Sequence, residues 1–411
     1  MSLDPGAYLG SLEPIGWRFG LDRIQRLLSL LGMPQRRFGS IHVVGTNGKS
    51  SVTAMTAELL EAAGIGTGAY FSPHAERWSE RLWVGGAEIG EQAFADAVER
   101  VAQSVPAVNR TLEEGDVVTQ FEAMTAAAMV AFAAAGVRVA VVEAGLGGRL
   151  DATNVLPSRA TALTSIGLEH TRWLGETELE IAAEKLAVLR DHSALVVGAL
   201  SAEVRALAER TAAQRHAVLV DASEPRPLDG LGGRAPYLRR NLAVAVAAAE
   251  VIAGPLEAEL VASVGGRVAL PGRMEVLEGE PPIVLDAAHN PDGAAALAEA
   301  LAEIAGRRPV VACIAVLADK DAAGIMAALG PTLAAAICTE VPAGRLVDTG
   351  RPGTTVVPVA ELAAAARAAG VASVEEVADP AEAVSRARRL ARERGGVALL
   401  AGSHYLLGYG S

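Results

Sequence analysis

The sequence contains few cysteines, which excludes a disulfide-stapled fold. Its 411 residues include only two cysteines, Cys313 and Cys338, which lie in separate segments. Small secreted scaffolds instead carry several closely spaced cysteines behind a basic and apolar leader, and no such leader pattern is present. We therefore expect the cytoplasm as the location.

Basic residues and long apolar runs are also scarce. The 36 Lys and Arg residues against 48 Asp and Glu give a formal net charge of -12, which argues against nucleic-acid partners and anionic membranes. The most apolar helical stretch, AMTAAAMVAFAAAGV at 123–137, is shorter than the roughly 20 residues that span a bilayer. It predicts a buried core helix.

Aromatic residues make up only 4% of the chain, whereas 51% is hydrophobic, so the core is expected to be aliphatic. Apolar strand-like runs alternate with alanine-rich helical patterns, which is typical of an α/β fold around a mostly parallel sheet. A stretch rich in Pro and Gly at 268–283 indicates a domain boundary. We expect one domain over 1–278 and a smaller one over 279–411.

The stretch HVVGTNGKSSVTA at 42–54 has the pattern of a phosphate-binding turn. Its glycines let backbone N–H groups converge on an anion, and Lys49 supplies a positive charge at the start of a helix. The strict P-loop pattern has a further glycine where this chain has Val43, so only its second half is met. The competing interpretation is a tight strand-to-helix turn with an exposed lysine.

A second glycine-rich turn follows an apolar strand in VRVAVVEAGLGGRLDATNV at 137–155. The strand delivers Glu143 to its end, where a carboxylate suits Mg²⁺ beside phosphate oxygens. A dinucleotide fingerprint fails, because the glycine required at position 150 is Leu150. A strand-ending glutamate in a solvated turn is the alternative.

Residues 161–190 place two further polar side chains after a strand. His170 follows the strand, and Thr177 with Glu180 forms a capping box that starts a helix carrying Lys185. Taken alone, the histidine is more typical of a structural group and the lysine of a solvated one.

The fourth segment is PPIVLDAAHNPDG at 281–293. The strand is expected to end at Asp286, with His289 in the turn and Asp292 capping the next helix. A plain capping turn is the alternative.

Together these segments resemble the folylpolyglutamate synthase and dihydrofolate synthase branch of the ATP-dependent Mur ligases. The resemblance extends over nearly the whole chain, and its motifs occur in the family's order: GWRFGLDRIQRLLSLLGMP, IHVVGTNGKSS, SPH, VEAGLGGRLDATNV, EHTRWLGETELEIAAEK, LPGRME, LDAAHNPDG, DKD and LLAGSHYLLG. The resemblance implies a P-loop ATPase domain with a mostly parallel sheet and a smaller Rossmann-like α/β C-terminal domain.

The resemblance also implies a reaction, in which ATP phosphorylates a carboxylate and the amine of L-glutamate then displaces phosphate from the acyl phosphate. The implied cofactors are ATP, two Mg²⁺ ions and a monovalent cation, and the implied state is a monomer. The implied partners are small molecules: dihydropteroate, reduced folates and L-glutamate.

Site residues follow from the same resemblance. Those implied for ATP are Gly45, Thr46, Asn47, Gly48, Lys49, Ser50, Ser51, Asn241, Arg273 and Asp286. Those implied for metal are Ser72, Glu143, His170 and Lys185, the last as a carbamylated lysine. Those implied in catalysis are Lys49, His170, Lys185, Asp286 and His289. Those implied for the folate substrate are Arg81, Thr119, Gln120, Phe121, Leu150, Asp151 and Ala152.

The sequence departs from the family pattern at several positions. Ser50 replaces a glycine, Glu169 replaces an aspartate before the metal histidine, Tyr237 and Leu238 replace a His-Gln pair, and Ala287 replaces a glycine. Alternatives therefore stay open: a folylpolyglutamate synthase only, a Mur-type ligase acting on another acid, a P-loop kinase, or a nucleotide-binding module without catalysis. The few residues before Gly45 favour the folate branch over cell-wall ligases.

Overall fold

A computed structural model describes residues 3–13, 20–74, 76–224, 234–342, 346 and 355–410. Residues 16–19 of the first family motif lie outside this part. Contacts divide the chain into two units, one up to Arg234 with Leu238–Val268, the other Ala235–Tyr237 with Ala269–Ser411.

The first unit is built on an eight-stranded sheet. Its strands are β1 (Gly39–Val44), β2 (Thr67–Tyr70), β3 (Leu82–Val84), β4 (Ala87–Glu88), β5 (Val139–Glu143), β6 (Ala160–Leu163), β7 (Ala194–Val197) and β8 (Val218–Asp221). The order is β4-β3-β2-β5-β1-β6-β7-β8. The six neighbouring strands β2, β5, β1, β6, β7 and β8 pair in parallel. The pairs β2–β3 and β3–β4 are antiparallel. The expected mostly parallel sheet is confirmed.

Helices cover this sheet. They are α1 (Pro5–Ser11), α2 (Asp22–Leu30), α3 (Lys49–Ala62), α4 (Glu91–Asn109), α5 (Gln120–Ala134), α6 (Thr171–Leu174), α7 (Glu178–Leu186), α8 (Ala202–Gln214), α9 (Pro236–Ala253) and α10 (Ala258–Arg267). The alanine-rich helix predicted for 123–137 is α5, which is almost wholly buried. It begins earlier than predicted because Thr119 and Glu122 form a capping box at its start.

The second unit has a six-stranded sheet in the order β13-β12-β11-β14-β10-β9. Its strands are β9 (Glu275–Leu277), β10 (Ile283–Asp286), β11 (Val310–Ile314), β12 (Leu333–Cys338), β13 (Val374–Glu376) and β14 (Val397–Ala401). Its helices are α11 (Pro291–Ala305), α12 (Ala322–Leu329), α13 (Val359–Ala368), α14 (Pro380–Glu393) and α15 (His404–Leu407). The pairing is parallel except for β9, which runs antiparallel to β10.

The sequence places the start of the second domain at residue 279, whereas the contacts place the main part of the second unit from Ala269 onward. Strand β9 shows the reason for this difference. Because β9 pairs with β10, residues 275–277 group with the second sheet.

None of the helices in the described part of the chain combines the length and the apolar character that a membrane span requires.

Candidate active site

The turn after β1 has backbone angles that require glycine. Gly48 has a φ of +86°, and a Cβ there would lie 2.5 Å from Oδ1 of Asn241. Gly45 has a φ of +150°, and a Cβ there would collide with Thr164. The sequence-predicted glycines therefore shape the loop, and the amide of Asn241 packs directly on it.

Side chains that follow β6 hold the loop in place. The carbonyl of Asn47 accepts hydrogen bonds from Oγ1 of Thr164 at 2.6 Å and from Oγ of Ser165 at 3.1 Å. The Asn47 N–H donates to Ser165 Oγ, and the Thr46 N–H donates to the Ser165 carbonyl. The loop is consequently fixed before any ligand arrives.

Two lysines converge on one carbonyl of this loop. Nζ of Lys49 donates to the carbonyls of Gly45 and Thr46, each at 3.0 Å. Nζ of Lys185, which lies on α7, donates to the same Gly45 carbonyl at 2.8 Å and to Glu169 at 2.7 Å. The structure thus joins the predicted phosphate-loop lysine and the predicted helix lysine in one cluster.

Burial and charge set the protonation of this cluster. Burial lowers the pKa of Lys185 to about 8, against the opposing effect of the Glu169 charge. Burial acts to raise the pKa of Glu169, but the charges of Lys49 and Lys185 outweigh it and bring that pKa to about 2. Glu169 is therefore an anion at neutral pH. Glu169, which stands where the family pattern has an aspartate, is the carboxylate that pairs with Lys185.

Glu143 stands at the carboxyl end of β5, as predicted, and is 2% exposed. It accepts hydrogen bonds from Oγ of Ser50 at 3.1 Å and from the backbone N–H of Ser72 at 3.3 Å. A buried carboxylate with two hydroxyl-bearing residues beside it is a donor set for a hard cation. Ser50, the departure from glycine, is one of those residues.

The remaining predicted metal residue is His170, which directly precedes α6, has a φ of +47° and is half-buried. Within the described ranges, no group of three or more His, Cys, Asp or Glu side chains is arranged to hold a metal ion. The predicted ligand set is of another kind, because it includes a serine and a lysine.

Several predicted folate residues make structural contacts within the protein. Thr119 caps α5, and Gln120 donates to the Leu9 carbonyl at 3.0 Å. Asp151 is buried and accepts from the N–H groups of Leu146 and Thr153. Thr119 and Asp151 thus stabilise the segments on which they lie, and Gln120 links the start of α5 to α1.

The other predicted folate residues differ in exposure, and Leu150 among them presents an apolar side chain at the surface. Leu150 is 40% exposed, and Ala152 beside it is buried. The half-buried ring of Phe121 lies over Gly145, where a Cβ would come within 2.5 Å of it. Arg81 is buried, donates to Nδ1 of His74 at 2.8 Å and lies over the ring of Trp78.

His42 is a residue of this region that the sequence analysis did not single out. Its Nε2 lies 2.8 Å from Oγ1 of Thr153, which donates to the Asp151 carboxylate. Burial, reinforced by the charge of Arg190, lowers the pKa of His42 to about 3. Its position on β1, directly before the phosphate loop, was the only signal in the sequence.

In the second unit, β10 ends at Asp286 as predicted. This buried carboxylate accepts hydrogen bonds from the Tyr237 hydroxyl at 2.6 Å and from the N–H groups of Met274 and Ala288, each at 2.9 Å. Burial raises the pKa of Asp286, and Arg273 and these donors oppose that rise. Tyr237, noted in the sequence only as a departure, is thus a direct partner of a predicted site residue.

Two predicted site residues lie close to His404, the first residue of α15: His289, in the turn after β10, and Arg273, which precedes β9. Nδ1 of His289 lies 2.9 Å from the Ala287 carbonyl and so carries the proton of that bond. Nη2 of Arg273 lies 3.3 Å from Nε2 of His404, whose ring is 6.1 Å from that of His289.

The predicted cap of α11 was wrong. Asn290, rather than Asp292, is the N-cap, and its side chain accepts from the N–H of Gly293 at 2.7 Å. Pro291 occupies the first helical position, which places Asp292 inside the first turn.

Proteins of known family resemble this chain over most of its length. Residues 272–404 match the family described as Mur ligase, glutamate ligase domain. The chain is 34% identical over 369 residues to the dihydrofolate synthase/folylpolyglutamate synthase of Mycobacterium tuberculosis, covering 80% of this chain and 75% of that protein.

Two solved structures extend the likeness to the fold. The folylpolyglutamate synthase of M. tuberculosis complexed with ADP superposes with a TM-score of 0.87 at 30% identity, covering 96% of this chain and 94% of the other. The bifunctional folylpolyglutamate synthase/dihydrofolate synthase of Yersinia pestis complexed with AMPPNP and Mn ion gives 0.81 at 29% identity, covering 100% and 98%.

Proposed function

Because this chain belongs to the dihydrofolate synthases and folylpolyglutamate synthases, a branch of the Mur ligase family, we propose that it adds L-glutamate to both dihydropteroate and reduced folates. Membership makes it an ATP-dependent carboxylate–amine ligase of folate metabolism. The observation that supports the pair of substrates is the apolar surface at the second glycine-rich turn. There the Phe121 ring lies over Gly145, and Leu150 is 40% exposed. An aromatic ring and a leucine suit the flat face of a pterin.

The phosphate loop supports the assignment of ATP to the first unit. We propose that the backbone of Gly45 to Gly48, the Lys49 ammonium and the start of α3 hold the phosphates, with Ser51 in the first turn. Asn241 packs on Gly48 and is proposed to meet the nucleotide there. Since Lys49 is already held by two carbonyls, it need not be reoriented when phosphate binds.

The residues around Glu143 fit a divalent cation, because they offer oxygen ligands beside the phosphate loop. We propose that Glu143, Ser72 and His170 hold Mg²⁺, with a carbamylated Lys185 serving a second ion. When bound, such a cation neutralises phosphate oxygens and favours phosphoryl transfer.

The chemistry then needs two steps. A carboxylate oxygen of the folate substrate attacks the γ-phosphorus of ATP, which releases ADP and forms the acyl phosphate. The glutamate amine attacks the acyl carbon, loses a proton and expels inorganic phosphate, leaving an amide. Lys49 stabilises negative charge in the first step through its position at the loop.

We assign the second unit, which carries the matched glutamate ligase domain, to the later part of the reaction. Arg273 and Asp286 are proposed to contact the nucleotide, and His289 to lie near the reacting phosphate. The Asp286 carboxylate is held by Tyr237 and two backbone N–H groups, which fixes its direction. We also propose a cytoplasmic monomer that uses a monovalent cation.

The deciding experiment is ligation of labelled glutamate, with ATP and Mg²⁺, to dihydropteroate in one tube and to a reduced folate in another. Mass spectrometry identifies the products, and Lys49→Ala serves as the inactive control. Incorporation in both tubes is expected. Incorporation with reduced folate alone would show a folylpolyglutamate synthase only, and incorporation in neither would assign the ligase to another acid.

A further inference from the structure

A concave pocket of about 750 Å³ lies in the first unit, away from the phosphate loop. Gly39 at the start of β1, Val139 at the start of β5 and Arg159 directly before β6 all line it. The pocket is therefore at the amino ends of the strands, whereas the phosphate loop follows the carboxyl end of β1. Five residue steps along β1 separate the two by roughly 17 Å.

Four arginines line this pocket: Arg36, Arg37, Arg138 and Arg159. They come from three separate segments of the chain, and each is exposed. Among the described residues, none of the four guanidinium groups has a carboxylate or hydrogen-bond partner. Arginines elsewhere do have carboxylate partners, for example Arg23, Arg77, Arg149, Arg205, Arg215, Arg367 and Arg386.

This concentration of positive charge is unusual in a chain of net charge -12. Like charges around one concavity repel each other, and a bound anion relieves that repulsion. Guanidinium groups bind phosphate and carboxylate oxygens in a bidentate way. The rest of the lining includes apolar side chains, among them Phe38, Ile65, Val137 and Ile252.

We propose that this arginine pocket is a second ligand site, for a small organic anion that joins an apolar ring to two or more negatively charged oxygens. Its volume lies within the range of sites for such molecules. Organic phosphates and oligocarboxylates share the required chemistry. The site is separate from the ATP site, and the proposal does not depend on the ligase reaction.

The test is calorimetric titration with the phosphate loop first saturated by Mg²⁺ and a non-hydrolysable ATP analogue. The two probes are 1-naphthyl phosphate and benzoyl-triglutamate. The test variant is Arg138→Gln with Arg159→Gln. The matched control is Arg110→Gln with Arg210→Gln, two exposed arginines outside the pocket that also lack partners among the described residues.

We expect at least one probe to bind at one site per chain. Its affinity should be at least tenfold lower in the test variant and within twofold of wild type in the control. Added salt should also lower the affinity. The probe that binds identifies phosphate or carboxylate as the ligand chemistry, and binding of both shows that either suffices. No binding of either probe, or equal binding by the test variant and wild type, would overturn the proposal.

A second variant separates the cavity from its charge. A Cβ at Gly39 would meet only ordinary contacts, the nearest at 3.6 Å, so Gly39→Val is tolerated locally while occupying the pocket. We expect this variant to lower the affinity for the probe at least fivefold although all four arginines are present. Unchanged affinity would contradict a ligand held inside the cavity.

Discussion

At the scale of single residues, the Lys185–Glu169 ion pair and carbamylation of Lys185 exclude each other. A carbamate is an anion, and it would lie against the Glu169 carboxylate that now pairs with Nζ at 2.7 Å. We predict that Glu169→Gln increases carbamylation, because it removes this repulsion and also the charge that raises the pKa of Lys185. NMR of protein equilibrated with ¹³C-bicarbonate measures the adduct.

The matched control for that variant is Glu184→Gln, which removes a carboxylate one residue from Lys185 that pairs instead with Arg149. It should leave the ¹³C signal at the wild-type level. A signal of equal size in wild type and both variants would show that Glu169 does not govern the modification.

Tyr237 gives a second prediction at this scale. Tyr237→Phe removes one of three donors to the buried Asp286 carboxylate, so we expect a loss of about 1–3 kcal/mol in the free energy of unfolding of the second unit. Urea denaturation measures it. Tyr8→Phe, whose hydroxyl has no partner among the described residues, should change stability little. Equal effects would remove the role assigned to the Tyr237 hydroxyl.

At the scale of elements, the junction of β1 and α3 is expected to tolerate no side chain at Gly48. A Cβ there meets both a left-handed backbone and the Asn241 amide at 2.5 Å. We predict that Gly48→Ala strongly reduces ATP-dependent turnover and raises the KM for ATP. Steady-state kinetics with parallel thermal unfolding measures both.

Gly64→Ala is the control for backbone strain alone. Gly64 has a φ of +78° and no atom within 4 Å of the added Cβ, so it bears a similar conformational cost of about 1 kcal/mol without the clash. It should lower stability slightly and leave the KM for ATP unchanged. Similar kinetics in both variants would count against the contact with Asn241.

At the scale of the whole molecule, two buried histidines make stability depend on pH. Burial, aided by a nearby arginine in each case, lowers the pKa of His42 and of His74 to about 3. Between pH 6.5 and 3 the unfolded chain binds protons that the folded chain does not, so stability is complete above 6.5 and falls as pH decreases. Each histidine contributes a slope approaching about 1.4 kcal/mol per pH unit.

We therefore predict a shallower loss of stability between pH 6 and 5 in His42→Asn than in wild type, measured by urea unfolding at several pH values. His192→Asn, at an exposed position, should retain the wild-type slope. An unchanged slope in His42→Asn would mean that the ring is protonated in the folded chain.

Sequence predicted the parts of this molecule that depend on local pattern. Strand ends at Glu143 and Asp286, the phosphate turn and the Thr177–Glu180 capping box follow from neighbouring residues. The pair of Tyr237 and Asp286 spans 49 positions along the chain, and the four arginines of the pocket come from three separate segments. Such contacts depend on tertiary packing, which local periodicity does not encode.

The shared Gly45 carbonyl has a consequence for spectroscopy. The sequence contains just three lysines, Lys49, Lys185 and Lys320. Two of them donate to that carbonyl, and the third belongs to the second unit. Selective ¹⁵N labelling of lysine side chains would thus give a three-resonance spectrum in which two signals report on the phosphate loop and one on the other half of the chain.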